Sequence, residues 1–192
     1  MARFRLRSRS QVVERCQSLR SEVSAALSRL PSQKPEVVDA VWRGEALGTL
    51  LWSLHLLDLP PYDRPFDTDE VVQANAAAGE LRDLDELELE RDSARLWHWR
   101  ARTTDLQRSG ELQLPSRYSS FDQLIAATAM RGHEEGLLPV PIRGDFPAYG
   151  KVYRHLTTEQ HAEAHAIAAE RHHALNWLAG EGTSWDDVPL DT

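Results

Sequence analysis

Histidines stand at positions 161, 165 and 172 within HAEAHAIAAERHH, four and then seven residues apart. On a helix that spacing lines all three imidazoles along one edge. Imidazole is the commonest metal ligand, and an i, i+4 pair can chelate one ion. One straight helix cannot wrap a tetrahedral ion with all three, because His172 lies about 10 Å beyond His165 at 1.5 Å per residue. A site here would be His161 and His165 plus a carboxylate or His from elsewhere. The sequence contains no HExxH and no cysteine cluster, so neither a metal nor a cofactor is expected.

The second chemical oddity is cationic. On the helical wheel of 158–179, Ala164, Ile167, Ala168, Ala174, Leu175 and Leu178 form the core-facing stripe, and Arg171 falls in its middle. His161, His165 and His172 follow one edge with Asn176 just beyond; Glu163, Glu170 and Trp177 take the other. Arg100 sits among Leu89, Leu96 and Thr103, and Arg43 between Leu50 and Leu54, with Glu45 between Trp52 and Leu56. An uncompensated buried charge costs several kcal/mol, so these arginines need partners, for which Glu45, Asp92, Glu170, Asp186 and Asp187 are the candidates. The expected role is that of internal struts; the functional alternative is an anion pocket. Arg91, Arg95, His98 and Arg102 form a separate stripe, expected to be a solvated face and otherwise a surface for an acidic partner.

Other chemistries find less support. There is no G-x-S-x-G elbow, and Cys16 lies on an apolar helix stripe, where it reads as core. Gly144 and Gly150 lack the spacing of a phosphate loop. The adjacent pairs Asp186–Asp187 and Glu134–Glu135 point in different directions. Phe146, Tyr149 and Tyr153 lie in an irregular segment, where they either contact a partner or close over the helices.

The elements that must position these groups are helical. Residues 11–30 carry Val12, Val13, Cys16, Leu19, Val23, Ala26, Leu27 and Leu30 at three- and four-residue steps. A helix over about 36–57 is apolar on nearly all faces and is expected to be central. Its Gly44 and Gly48 each cost about 1 kcal/mol relative to Ala, so a close neighbour is expected along that strip. A loop rich in proline follows, then a short helix over 68–80, a long one over 82–108 and another over 121–136. Residues 137–156 suggest a short hairpin or irregular segment. Thr157-Thr158-Glu159 opens a final helix to Leu178, which Gly180 and Gly182 stop. The expectation is an all-α, single-domain bundle of about six helices over 11–192, preceded by a basic arm over 1–10 that reads as a frayed terminus.

Composition bounds the function classes. A length of 192 residues with 41% hydrophobic and 27% charged residues suits one cored globular domain. A net charge of −8 opposes general nucleic-acid binding. No run approaches the roughly 18 apolar residues of a membrane span. One cysteine suits a reducing compartment, so a cytoplasmic location is expected.

WRGEALGTLLWSLHLLDLP, RDSARLWHWRAR, ERHHALNWL and WDDVPLDT, in that order, together with QVVERCQSLRSEV, resemble the bacterial family catalogued as domain of unknown function 4272. The resemblance runs from about residue 11 to the end. It implies a soluble, mainly helical bacterial domain with no assigned activity. On matching positions it singles out Trp42, Arg43, Glu45, Trp52, Trp99, Arg100, Glu170, Arg171, Asn176, Trp177, Trp185, Asp186, Asp187, Asp191 and Thr192. One departure is Ser53-Leu54-His55, where the family more often shows Ala-Leu-Gly. The candidate binding set is therefore Arg43, Glu45, Trp99, Arg100, Glu170, Arg171, Asn176, Trp177 and Asp186, with no catalytic residue assigned. The leading expectation is a non-enzymatic binding or accessory module for a protein or small-molecule partner. The alternative is a hydrolase-like enzyme with a metal or anion pocket built around His161, His165 and the core arginines.

Overall fold

The computed structural model describes residues 6–31, 34–111 and 113–192. Among them are six α-helices: α1 (Arg9–Leu27), α2 (Pro35–Ser53), α3 (Thr68–Gln73), α4 (Leu84–Ser109), α5 (Phe121–Glu134) and α6 (Thr158–Leu178). The fold is a helical bundle, as the hydrophobic periodicity demands. α2 packs between α1 and α6, α6 packs between α2 and α4, and α5 leans on α4. No helix among the described residues is long and apolar enough to cross a membrane.

Local chemistry sets the helix ends. Ser8 caps α1 and Thr157 caps α6, each in a reciprocal capping box with a glutamine three residues on, Gln11 and Gln160. The Ser8 cap starts α1 two residues before the expected start, and the helix gives way to a turn that leaves Leu30 half exposed. α2 stops at Ser53 rather than near 57. There His55 takes φ 59°, the left-handed region, and the Leu56 N–H closes back onto the Leu51 carbonyl at 3.0 Å. The expected helix over 68–80 divides, because Ala74 is extended and Asn75 caps a separate 3₁₀ turn at Ala76–Ala78.

The segment after α5 contains a two-residue hairpin, β1 (Pro147–Ala148) paired antiparallel with β2 (Lys151–Val152). Phe146 and Tyr153 are buried in the core and Tyr149 is half buried. The hairpin therefore closes over the helices and does not present these rings to a partner. Trp97 stacks on Tyr62 at 5.2 Å and takes the edge of Phe146, tying this segment to α4.

α2 is central only in its second half: Glu45 through Leu54 are buried, whereas Val41 to Gly44 are only partly so. At Gly48 an added Cβ would lie 2.4 Å from Phe66, so the expected close approach exists; at Gly44 nothing lies within 4 Å. The N-terminal arm is anchored at its described end. Arg7 donates to the carbonyls of Trp177 and Gly182 and lies over the Trp177 ring, while Arg9 donates to the carbonyls of Gly79 and Ala77. Arg3 and Arg5 lie outside the described residues.

Candidate functional site

Arg171 and Arg100 are both essentially inaccessible to solvent. Arg171 donates from Nε to Glu45 Oε2 at 3.0 Å, from Nη1 to the Pro60 carbonyl at 2.6 Å and from Nη2 to the Arg64 carbonyl at 2.9 Å. The rings of Tyr62 and Phe66 lie 4.9 and 5.0 Å from its guanidinium carbon. Glu45 uses its other oxygen to accept the Phe66 N–H at 2.8 Å. The pair therefore fastens the proline-rich loop between α2 and α6. Burial raises the Glu45 carboxyl above the ordinary range, and Arg171 opposes that rise.

Arg100 grips Asp145 with two parallel bonds, Nε to Oδ1 at 2.7 Å and Nη2 to Oδ2 at 2.9 Å, and donates to Thr104 Oγ1 at 2.6 Å. Burial works against ionisation of Asp145, but the Arg100 bonds and charge prevail and hold its carboxyl below the ordinary range. Both buried arginines are thus struts whose guanidinium groups are held by partners inside the fold.

The remaining candidates scatter. Arg43 is not in the core: its side chain is 41% exposed and pairs with Glu22 of α1. Its position on α2 precedes the buried half. Glu170 is half buried, and burial pushes its carboxyl up to about 7 against the opposing charge of Arg43. Trp177 is buried under Arg7 and Arg15 and lies beside Trp185. Asp186 stays exposed on the tail, and Asp187 accepts from Thr183 and Ser184 in its own turn. These residues do not converge on one pocket.

What the structure gathers instead is a line of imidazoles along the α4–α6 seam. His161 Nε2 donates to Asp105 Oδ1 at 2.7 Å, and His165 Nδ1 donates to Asp105 Oδ2 at 3.0 Å. The three ligand atoms lie within 4.8 Å of one another. A tetrahedral ion with ligand bonds of about 2.0–2.2 Å needs ligand atoms about 3.4 Å apart, so these side chains would have to shift to close on one. The Tyr153 hydroxyl lies 3.4 Å from His161 Nδ1, on the ring nitrogen that a metal bound at Nε2 leaves free. The Asp105 and His165 side chains are 40% and 29% exposed, so one side of the triad faces solvent.

No family model, curated protein or solved structure matches the chain. The meaning of the site therefore rests on its geometry.

The seam continues beyond the triad. The His98 ring lies 5.6 Å from that of His165 and 5.3 Å from that of His172. His98 is buried, not on a solvated stripe as its helical position suggested; Arg95 and Arg102 of that stripe are exposed, and Arg91 is half buried. Arg91 Nε donates to Asn176 Oδ1 at 2.7 Å, which fixes the orientation of the Asn176 amide. Asn176 Nδ2 then donates to the Pro189 carbonyl at 2.9 Å and to His172 Nε2 at 3.1 Å. His172 must carry its proton on Nδ1 and donate it to His98 Nδ1, 3.1 Å away. That leaves the His98 proton on Nε2. Both rings are neutral, since burial drives His172 down to about 3 and His98 down to about 4, with neighbouring cations adding to the effect.

His98 and His165 line a cavity of about 650 Å³ whose other walls include Trp99, Arg102, Thr103 and Leu106. That volume falls within the usual range for small-molecule sites. Of the nine residues singled out from sequence, Trp99 lines this cavity and Asn176 supports it from behind. Sequence reasoning misses Asp105 and places His98 and Arg102 on a solvated stripe, with a surface for an acidic partner as the alternative. His161 and His165 at i, i+4 were the available signal for a carboxylate opposite them, but nothing in the sequence says that Asp105 supplies it.

Proposed function

We propose that the protein is a binding module for one divalent transition metal ion, held by Asp105, His161 and His165. The observation that carries this reading is the convergence of two imidazoles from one helix and a carboxylate from another, open to solvent on one side. Two His and one carboxylate suit zinc, cobalt, nickel or ferrous iron better than magnesium or calcium, which prefer oxygen alone. Three protein ligands leave a coordination position for water or a ligand.

Hydrolysis is the second reading, favoured by that open side and by the cavity beside it: a metal-bound water there would be acid enough to serve as a nucleophile near neutral pH. Membership of the family of domain of unknown function 4272 is likewise a proposal. It is supported by the order of the motifs and by His55, whose left-handed backbone suits the glycine that the family more often carries.

Titration of tag-free, chelator-treated protein with Co²⁺, followed by visible absorption, tests the metal reading. One equivalent should give a saturating ligand-field spectrum, abolished in Asp105→Asn and His165→Gln and displaced by Zn²⁺. Absence of saturable binding, or a spectrum unchanged in both variants, overturns it.

A further inference from the structure

The groove beside the triad has a chemistry of its own. Arg102 lines the groove, is exposed, and has no hydrogen-bond or ion-pair partner among the described residues. His98 lines the groove with Nδ1 committed to His172, so Nε2 is the ring nitrogen left to face it. The chain Arg91–Asn176–His172 makes that nitrogen a donor by fixing each tautomer in turn. The hydroxyl of Thr103 adds a third polar group, and Trp99, Leu106 and Ala169 supply apolar walls. A second cavity of about 510 Å³ shares Trp99, Thr103, Asp191 and Thr192 with the first and adds Arg95, Arg117 and Arg131. The two cavities together carry four arginines, of which Arg95 is paired with Asp92, and one lining aspartate, Asp191, in a chain of net charge −8. Cationic groups gathered in a concave site of an acidic protein favour an anion.

We propose that this groove binds a small organic anion, a carboxylate or a phosphate ester, held by the Arg102 guanidinium and the His98 Nε2–H with its apolar part against Trp99. The inference rests on the reading of the α4–α6 seam as the functional site. His165 belongs both to the triad and to the groove lining, so an anion held here would lie beside an ion held by the triad. Arg102 provides the planar fork that carboxylate and phosphate oxygens fit, and His98 fixes direction with a single donor. Asp191 also lines the groove, and its charge disfavours dense polyanions.

The test uses metal-free, chelator-treated protein, so that its outcome is separate from that of the cobalt titration. Benzoate and phenyl phosphate are titrated separately by calorimetry, and the histidine ring nitrogens are followed by long-range ¹H–¹⁵N correlation. The expected result is saturable binding of at least one probe, weakened about tenfold or more by Arg102→Gln, with a shift of the His98 Nε2 resonance. Binding of both probes assigns the shared anion chemistry, and binding of one assigns carboxylate or phosphoryl specificity. Arg102 is exposed, so its replacement leaves the fold intact, which a thermal melt verifies. The proposal is overturned if neither probe binds at millimolar concentration, if Arg102→Gln binds as the wild type does, or if His98 carries its proton on Nδ1. Cobalt binding without anion binding would leave the metal reading standing and remove this one alone.

Discussion

Replacing Arg171 with alanine tests the strut at the centre of the bundle. The substitution removes both contacts with Glu45, which lies 2.9–3.0 Å from Nη2 and Nε, and the bonds to the carbonyls of Pro60 and Arg64. Glu45 keeps the Phe66 N–H as its one hydrogen bond, while remaining 4% exposed. Breaking one partner of a buried ion pair costs about 3–5 kcal/mol. A chain of this size shifts Tm by roughly 2–4 °C per kcal/mol, so the variant should melt on the order of 10 °C lower. The deficit has a pH signature. The stranded Glu45 carboxyl is best accommodated protonated, so Arg171→Ala should be less damaging at pH 5 than at pH 8. Combining Glu45→Gln with Arg171→Met removes both charges and keeps a stem between Tyr62 and Phe66, and should cost no more than Arg171→Ala. Calorimetric and urea melts at the two pH values measure all three quantities. A Tm unchanged within error, or a deficit identical at both pH values, would refute the strut.

Asp145→Asn should cost about 3–5 kcal/mol, because it strands the buried Arg100 charge, and urea unfolding reads it directly. Gly48→Ala should destabilise by about 1–3 kcal/mol through its collision with Phe66, whereas Gly44→Ala, with open space around it, should stabilise by about 0.5–1 kcal/mol; paired melts decide both signs. Glu170 is faced by Arg43, Glu45 and Asp39 and has its carboxyl raised to about 7, so the native state is more protonated there than the unfolded chain and loses stability as pH rises from about 4.5 through 7. Glu170→Gln should therefore come closest to the wild type below about pH 4 and exceed it by roughly 1–3 kcal/mol at pH 8, and equal stability at pH 8 would contradict the sign. His172 has the opposite sense: burial beside His98, Arg91, Arg95 and His173 holds it near 3, so its contribution is complete above about 6.5 and fades as pH falls toward 3, visible as acid unfolding that His172→Asn, which removes this titrating group, should weaken.

Periodicity made the core face of α6 legible: Ala164, Ile167, Ala168, Arg171, Ala174, Leu175 and Leu178 are all buried. It also placed Glu45 among the partners available to Arg171, because both interrupt apolar stripes and each needs the other's charge. The same reasoning failed where burial depended on a neighbouring element. Arg43 looked equivalent to Arg171 on a wheel, yet neighbouring elements enclose only the half of α2 that begins at Glu45. Asp145 lies in a segment without helical period, so no pattern could mark it as the partner of Arg100. His98 sat on a stripe with three arginines and looked solvated. The histidine that buries it, His172, is 74 residues away in sequence.

Helix α6 thus presents two polar seams of opposite character. Toward α2, Arg171 meets a carboxylate and backbone carbonyls, its guanidinium is covered by two rings, and no part of it is accessible. A seam satisfied in this way fixes the loop and the helix register, and its guanidinium is closed to a ligand. Toward α4, each polar group also has a partner until the chain of donors reaches His98 Nε2 on one side and the solvent-facing edge of Asp105 and His165 on the other. Burying neutral imidazoles brings no advantage over leucine in a helix seam that only has to pack, since their desolvation must be offset bond by bond. The bonds that offset it here, from Arg91 through Asn176 and His172, all serve to set the proton on the one ring nitrogen that faces a cavity. That asymmetry is what the proposed site on the α4 side of the helix rests on, with the Arg171 side as its support. It also requires Arg171→Ala to lower stability without changing cobalt binding of the folded protein, and Asp105→Asn to abolish cobalt binding with little change in the melt.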